Sequence, residues 1–170
     1  IDAASNANTI SNSGTVKVNH TLDNIAANGL TAITMAASDS ILSFNSGSGV
    51  DHDISVVAAT DGFGTINVID SAGGAPAAQV LSGGDIGTTS ARVGTLNVGS
   101  STANGALTTI DGDAIFVDAL KIEGGDHADE DSIIIAVENI TATDGITLTA
   151  ADAGDAELNT ATAAVIVTGT

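Results

Sequence analysis

Short stretches in which apolar and polar residues alternate recur along the chain, as in Val16-Lys17-Val18. This period of two is typical of β-strands with one face on a core and the other in solvent. Strands are predicted at residues 16–18, 32–35, 41–44, 54–58, 65–69, 95–98, 114–117, 120–122, 133–137, 145–149 and 164–167. No stretch shows the sustained spacing of three and four residues that an amphipathic helix needs, so an all-β protein is expected.

One of these strands recurs with its own turn residue. A glycine, a threonine and an apolar–any–valine triplet follow each other three times, beginning at Gly14, Gly64 and Gly94. Such recurrence predicts a β-solenoid, a stack of similar short strands. Because the three glycines are separated by 50 and by 30 residues, the coils of the stack are expected to differ in length.

The turn residues leave a second fold open. Asx-Gly pairs such as Asp61-Gly62 and Asp144-Gly145 suit tight turns with positive φ, and such turns also connect the strands of hairpins. An antiparallel β-sandwich is therefore the alternative architecture.

The core is expected to be narrow and aliphatic. The chain has three Phe, one Met, no Trp and no Tyr, although 43% of its residues are apolar. Small aliphatic side chains fill thin stacked layers, whereas a broad core generally recruits aromatic residues. Residues 1–170 are predicted to form a single all-β domain, either a subunit or a segment of a larger repeat assembly.

Three segments depart from the alternating pattern. Residues 71–92 have the weakest strand pattern and are predicted to be a long surface connection. Residues 152–162 contain several Ala and are predicted to be a similar connection, in which one or two helical turns can form. The continuous apolar run Ile133-Ile134-Ile135 indicates burial on both faces, in a central strand or at an interface with another chain.

The net charge limits the partners. There are 21 acidic residues against three Lys and Arg, for a formal charge of −18. Such a surface repels nucleic-acid phosphates and anionic headgroups, and no run reaches the roughly 20 apolar residues of a membrane helix. We therefore expect neither nucleic-acid binding nor membrane insertion, and we expect an extracellular location at a cell surface.

One acidic segment is the best candidate for a metal site. Its carboxylates are spaced around flexible glycines and belong to Glu123, Asp126, Asp129, Glu130 and Asp131. Calcium prefers six to eight oxygen ligands, so calcium is the cofactor this segment predicts, with a solvated acidic loop as the alternative. Asp111, Asp113 and Asp118 form a second, weaker cluster.

No catalytic constellation is present in the sequence. The Asp51-His52-Asp53 triplet places a histidine between two carboxylates, but an extended strand points those carboxylates away from it. The chain has no Cys and therefore no thiol nucleophile. We predict that the protein is not an enzyme.

Residues 83–99 read Gly-Gly-Asp-Ile-Gly-Thr-Thr-Ser-Ala-Arg-Val-Gly-Thr-Leu-Asn-Val-Gly. This run resembles the repeated unit in the passenger regions of rickettsial outer-membrane-protein-B-like autotransporters, and residues 62–68 resemble the preceding part of that unit. The resemblance covers about residues 60 to 100. It implies a secreted β-solenoid that forms a surface layer or an adhesive fibre.

These observations together predict an extracellular structural protein that assembles with copies of itself into a surface layer or filament. An adhesin that binds a host or matrix ligand through its loops is the alternative. A β-helix polysaccharide lyase or hydrolase is the third reading, which the three scattered basic residues disfavour.

Overall fold

The computed structural model describes residues 8–18, 30–45, 55–69, 78–82, 84–100, 107–111, 114–125, 132–136, 139–150, 154–160 and 164–167. The strands in chain order are β1 Asn8–Asn12, β2 Thr15–Val18, β3 Leu30–Met35, β4 Ile41–Asn45, β5 Ser55–Ala58, β6 Phe63–Ile69, β7 Ala78–Ser82, β8 Val93–Gly99, β9 Leu107–Asp111, β10 Ala114–Glu123, β11 Ser132–Ala136, β12 Asn139–Thr149, β13 Ala156–Thr160 and β14 Val165–Val167. Among these residues no helix is long and apolar enough to cross a membrane.

The strands form three parallel sheets. The first has seven strands in the order β14-β12-β10-β8-β6-β4-β2, the second has three in the order β1-β3-β5, and the third has four in the order β13-β11-β9-β7. Every pairing between these strands is parallel. This arrangement confirms the predicted β-solenoid and shows that the antiparallel sandwich was wrong.

The long strands β10 and β12 bend in the middle, so their two halves run in different directions. They pair with each other before and after the bend, and β14 pairs with the first half of β12. The second half of β10 pairs with β8. The register shifts between Val117 and Ala119, which marks a bulge where the chain turns from one sheet direction to the other. We call this turn the corner. In each coil it lies just before the segment that belongs to the seven-stranded sheet.

Ile86 connects β5, in the three-stranded sheet, with the first half of β10. It forms parallel bridges to Val56 on one side and to Ile115 on the other. A single register row therefore runs through successive coils, at Ile10, Ile33, Val56, Ile86, Ile115, Ile140 and Val165. Its steps of 23 to 30 residues give the length of one coil.

The core lies between the sheets. It consists of rows of buried, mainly aliphatic side chains, and each row runs from coil to coil. One row contains Leu42, Ile66, Leu96 and Leu120, and a parallel row contains Phe44, Val68, Val98 and Ile122; all eight side chains are fully buried. Like residues thus stack on like residues from coil to coil. The prediction of an aliphatic core is confirmed for the described residues, in which Phe44 is the aromatic exception among the buried side chains.

The three glycine–threonine repeats fall on one register row. Thr15 pairs with Ile41, Ile41 with Thr65, and Thr65 with Thr95. The 50-residue interval in the sequence therefore contains one additional coil, in which Ser40 and Ile41 replace the glycine and threonine. The repeat is regular in space although one of its copies is not recognisable in the sequence.

Two of the predicted irregular segments were wrong. Residues 71–92 are not a surface connection throughout, because they include β7 and the buried Ile86. Residues 152–162 do not form a helix where they are described, because β13 runs parallel to β11. In a parallel solenoid a short strand with a weak pattern of its own can still form, because the adjacent coil supplies its hydrogen bonds: β9 pairs with β7, and β11 pairs with β13.

The apolar run Ile133-Ile134-Ile135 lies in β11, which is flanked by β9 and β13. β11 is therefore an internal strand of its sheet, and the predicted burial of the run on both faces stays a prediction. The burial of its side chains lies outside the described residues.

Candidate interaction surfaces

Arg92 holds neighbouring coils together at the corner. Its Nε donates to Asp118 Oδ1 at 2.6 Å, and its Nη2 donates to Asp61 Oδ2 at 2.5 Å. The backbone N–H of Arg92 donates to Asp61 Oδ1 at 2.9 Å, and Thr143 Oγ1 adds a 3.0 Å hydrogen bond to Asp118 Oδ1. Because these residues come from successive coils, the cluster links them along the solenoid axis.

The charge state of this cluster follows from the same contacts. The hydrogen bond to Asp118 raises the pKa of Arg92 above its ordinary value, and the nearby charges of Asp118, Asp61 and Asp144 add to the effect while partial burial opposes it. A raised folded-state pKa gives stability that is present at lower pH and lost only above that pKa. Since an arginine side chain is protonated at working pH even without such help, Arg92 remains a cation.

The corner of the first coils is held differently, by buried neutral groups. Asn12 and Ser40 are almost fully buried. Asn12 Nδ2 donates to the carbonyl oxygen of Ile41 at 2.9 Å, and Ser40 Oγ donates to the carbonyl oxygen of Asn12 at 2.6 Å. The two buried side chains thus find their hydrogen-bond partners on backbone carbonyls of the adjacent coil, and the carbonyl oxygen of Asn12 also accepts the backbone N–H of Ala36 at 2.7 Å.

A polar row runs along the outside of the seven-stranded sheet. Its members are in register from strand to strand and are Ser43, Asn67, Asn97, Lys121 and Thr147, and the backbone of Lys17 continues this register on β2. We call it the lysine row, because it contains both lysines of the chain and no carboxylate. Asn97 Nδ2 donates to Asn67 Oδ1 at 2.8 Å, so the two amides form a ladder in the middle of the row.

A shallow hollow of about 250 Å³ lies beside this ladder. Its lining residues are Asn67, Ile69, Asn97, Gly99, Ser100, Lys121 and Glu123. The hollow therefore combines amide groups, one ammonium group and one carboxylate with a small apolar floor. Such a mixture suits a neutral polar ligand better than a strongly charged one.

An apolar surface is exposed at β14 and at the end of β12. Ile166 and Val167 are each 50% exposed and Leu148 is 48% exposed. Val165 belongs to the same register row as the buried Ile140 and is still 36% exposed. β14 lies at the edge of the seven-stranded sheet and pairs with β12 alone among the described strands, so its other side presents unpaired backbone groups.

The predicted calcium segment lies largely outside the described residues. Asp126, Asp129, Glu130 and Asp131 are not described, whereas Glu123 closes β10 and lines the hollow beside Lys121. The described residues include no group of three or more His, Cys, Asp or Glu side chains placed to hold a metal ion. The calcium site therefore stays a prediction.

The other candidate groups are the Asp111, Asp113 and Asp118 cluster and the Asp51-His52-Asp53 triplet. Asp118 does not join a metal cluster in the described part of the chain, because its carboxylate accepts bonds from Arg92 and Thr143. Asp113 and the Asp51-His52-Asp53 triplet lie outside the described residues. The roles of Arg92, Asn12 and Ser40 were missed from the sequence, because their side-chain partners in adjacent coils are 26 to 31 residues away in the chain.

Comparison with protein-family models found no match, and comparisons with curated proteins and with solved structures found none either.

Proposed function

We propose that this protein is an extracellular structural protein whose copies stack end to end into a filament or a surface layer. The observation that supports the proposal best is the exposed apolar edge at β14. An edge strand with half-exposed Ile166 and Val167 suits strand addition by a second copy, in which backbone hydrogen bonds and apolar burial act together.

The solenoid also provides a geometric reason for stacking. All of its strand pairings are parallel and follow the same register from coil to coil, so another coil that continues this register prolongs every core row. Burying the remaining half of an Ile or Val side chain contributes about 1 kcal/mol. Several such side chains together offset part of the entropy cost of association.

The net charge of −18 opposes association of identical copies. Salt reduces this repulsion because it screens surface charges over about 10 Å at 0.1 M. Calcium bound by the acidic segment that contains Glu123 would reduce it further. We therefore propose that assembly is stronger in saline or in the presence of calcium.

The test of end-to-end stacking is an edge variant. Ile166→Asp places a charge on β14 at an exposed position, where little effect on folding is expected. Sedimentation velocity over a concentration series at 0.15 M NaCl should show association of the parent protein and a loss of most of it in the variant. Negative-stain electron microscopy of the same samples should show filaments or sheets only for the parent.

Thr89→Asp is the matched control. Thr89 is exposed in the turn before β8, which is the central strand of the seven-stranded sheet, and the substitution also adds one negative charge. Because this turn lies far from both ends of the stack, the control should leave association unchanged. Equal association of Ile166→Asp and Thr89→Asp, or a parent protein that stays monomeric at every concentration, would count against end-to-end stacking.

A binding module of the adhesin type is the second candidate, and the hollow beside the asparagine ladder favours it. Asn67, Asn97 and Lys121 offer donors and acceptors at the surface, as a weakly bound saccharide requires. Dispersed particles in the electron micrographs, together with saccharide binding that Asn97→Ala removes, would favour this function over assembly.

A further inference from the structure

Two Asp-Gly pairs lie at the corner in the same local sequence. One is Thr60-Asp61-Gly62-Phe63, directly before β6, and the other is Thr143-Asp144-Gly145-Ile146, in the middle of β12. Each pair has a threonine before it and a large apolar residue after it. A difference between them in chemical reactivity must therefore come from the fold.

An Asp-Gly bond can rearrange with water as its only co-reactant. The glycine nitrogen attacks Cγ of the aspartic acid, a nitrogen–Cγ bond forms, and the carboxyl hydroxyl leaves with the amide proton as water. A second water then opens the five-membered succinimide ring. Opening at Cγ restores aspartate, whereas opening at the main-chain carbonyl carbon leaves isoaspartate, in which the chain runs through Cβ and Cγ. Glycine permits the attack because it has no side chain to hinder it.

At Asp61-Gly62 the atoms that must move are held by hydrogen bonds. Asp61 Oδ1 accepts the backbone N–H of Arg92 at 2.9 Å, and Asp61 Oδ2 accepts Arg92 Nη2 at 2.5 Å. The backbone N–H of Gly62 donates to the carbonyl oxygen of Arg92 at 3.0 Å. Loss of a carboxyl oxygen and attack by the Gly62 nitrogen must both break such bonds, so the ring forms slowly here.

The space around Gly62 is also occupied. A Cβ at this residue would lie 2.8 Å from Asp118 Oδ2. The corresponding place at Gly145 is open, because nothing lies within 4 Å of a Cβ built there. The backbone therefore has room to close the ring at Gly145 and little room at Gly62.

The carboxylate of Asp144 is exposed. Its charge acts on Arg92 from a distance, but within the described part of the chain no hydrogen bond or ion pair holds either of its oxygens. Release of one oxygen as water therefore breaks no contact of the kind that holds Asp61.

The backbone at Asp144 departs from the strand ladder. The register of β12 and β10 passes from Ala142 opposite Val117 to Gly145 opposite Ala119, so two residues of β12 stand opposite one residue of β10. This is a bulge, in which the extra residue is left out of the pairing. Gly145 follows it with a φ of +109°.

We propose that Asp144-Gly145 is a site of spontaneous backbone modification, at which Asp144 converts to isoaspartate, and that the contacts of Arg92 suppress the same reaction at Asp61-Gly62. The proposal concerns the single chain and does not depend on assembly of copies.

The modification would change the end of the solenoid that exposes apolar side chains. Isoaspartate adds one carbon atom to the backbone of β12 and leaves a free α-carboxylate at the bulge. The second half of β12 follows directly, pairs with β10 up to Glu123, and carries the half-exposed Leu148. Because the bulge sets the register of this half, we expect conversion to weaken its pairing with β10.

The test measures isoaspartate at each site separately. Folded protein is incubated for several weeks at pH 7 and 37 °C, beside a sample unfolded in guanidinium chloride. Endoproteinase Asp-N cleaves before aspartate and not before isoaspartate, so the loss of cleavage reports conversion, and electron-transfer dissociation spectra assign the position. Isoaspartate formed at the Asn-Gly pairs of the chain lies in other sequence positions and is not counted.

In the folded protein conversion at Asp144 should be about tenfold faster than at Asp61, the factor that the loss of one hydrogen bond to a charged group produces. In the unfolded sample the two rates should be similar, because the local sequences match. Equal rates in the folded protein, or slowing on folding that is as strong at Asp144 as at Asp61, would overturn the proposal.

Arg92→Gln tests the protection of Asp61. It should raise conversion at Asp61 severalfold, whereas Lys121→Gln, which changes the net charge equally at another place, should leave it unchanged. Arg92→Lys keeps the charge and should give an intermediate rate. Circular dichroism verifies that each variant is folded. If Arg92→Gln and Lys121→Gln convert at Asp61 equally, the protective role of Arg92 is wrong.

Asp144→Glu tests the structural consequence. Glutamate keeps the charge at this exposed position and forms no five-membered ring. After the same incubation, the urea midpoint should fall for the parent and stay constant for Asp144→Glu. Equal shifts of the two midpoints would show that conversion at Asp144 does not weaken β12.

Discussion

At the residue scale, the repeated glycine serves different purposes in different coils. Gly64 has a φ of +84°, a conformation that side chains other than glycine rarely adopt. Gly94 has no positive φ, but a Cβ there would lie 2.5 Å from the carbonyl oxygen of Gly62. Around Gly14 nothing lies within 4 Å of such an atom. The repeated glycine is therefore required by backbone conformation in one coil and by close packing between coils in another.

The pair Gly94→Ala and Gly14→Ala tests this distinction. Gly94→Ala should lower the free energy of unfolding by about 1 to 3 kcal/mol, because backbone atoms of the adjacent coil must move. Gly14→Ala should change it by less than about 0.5 kcal/mol. Urea unfolding followed by circular dichroism measures both, and equal losses would contradict the packing account of Gly94.

At the scale of strands and coils, the corner is stabilised by contacts between residues from successive coils. Arg92 is only partly exposed and makes two charge-assisted hydrogen bonds to Asp61 and Asp118. Its planar guanidinium reaches both carboxylates at once, which a lysine ammonium does less well. The coils before it rely instead on the buried Asn12 and Ser40.

Arg92→Gln should therefore destabilise the fold by about 1 kcal/mol, a value reduced for solvent screening at this partly exposed site. Arg92→Lys should lose less, because it keeps the charge but not the paired geometry. Chemical unfolding of the parent, of Arg92→Gln, of Asp118→Asn and of the double variant completes a double-mutant cycle. A coupling energy of zero between Arg92 and Asp118 would show that the contact adds nothing to stability.

At the scale of the whole molecule, a thin aliphatic core is combined with a large excess of negative charge. The described core rows are fully buried, whereas the formal charge of −18 produces self-repulsion that opposes the compact state. Stability should therefore depend on the ionic medium more than it does in a protein with balanced charges.

Raising NaCl from 0.02 to 0.5 M should raise the Tm of dilute, monomeric protein by several degrees, because salt screens this repulsion. Calorimetry at pH 7 measures the shift. CaCl₂ at the same ionic strength should raise the Tm further if the acidic segment with Glu123 binds calcium. An unchanged Tm across the NaCl series would contradict the repulsion argument, and equal Tm values in the two salts would contradict the calcium site.

Alternation and turn residues in the sequence were sufficient to predict an all-β solenoid with unequal coils and an aliphatic core. A period of two and the glycine–threonine repeat are local patterns, and each strand carries its own. The strands around Val80 and Leu158 were missed because each is only five residues long and contains few large apolar side chains, and its pairing with a parallel neighbour, β9 or β11, is not a local pattern.

Tertiary structure alone decided which residues meet across coils. The Arg92 cluster and the buried contacts of Asn12 and Ser40 depend on coil lengths that vary from 23 to 30 residues. Because those lengths are irregular, no fixed period in the sequence places these side chains on one row. Local chemistry therefore determined that the chain coils into stacked strands, and only the register between coils determined the surfaces it presents.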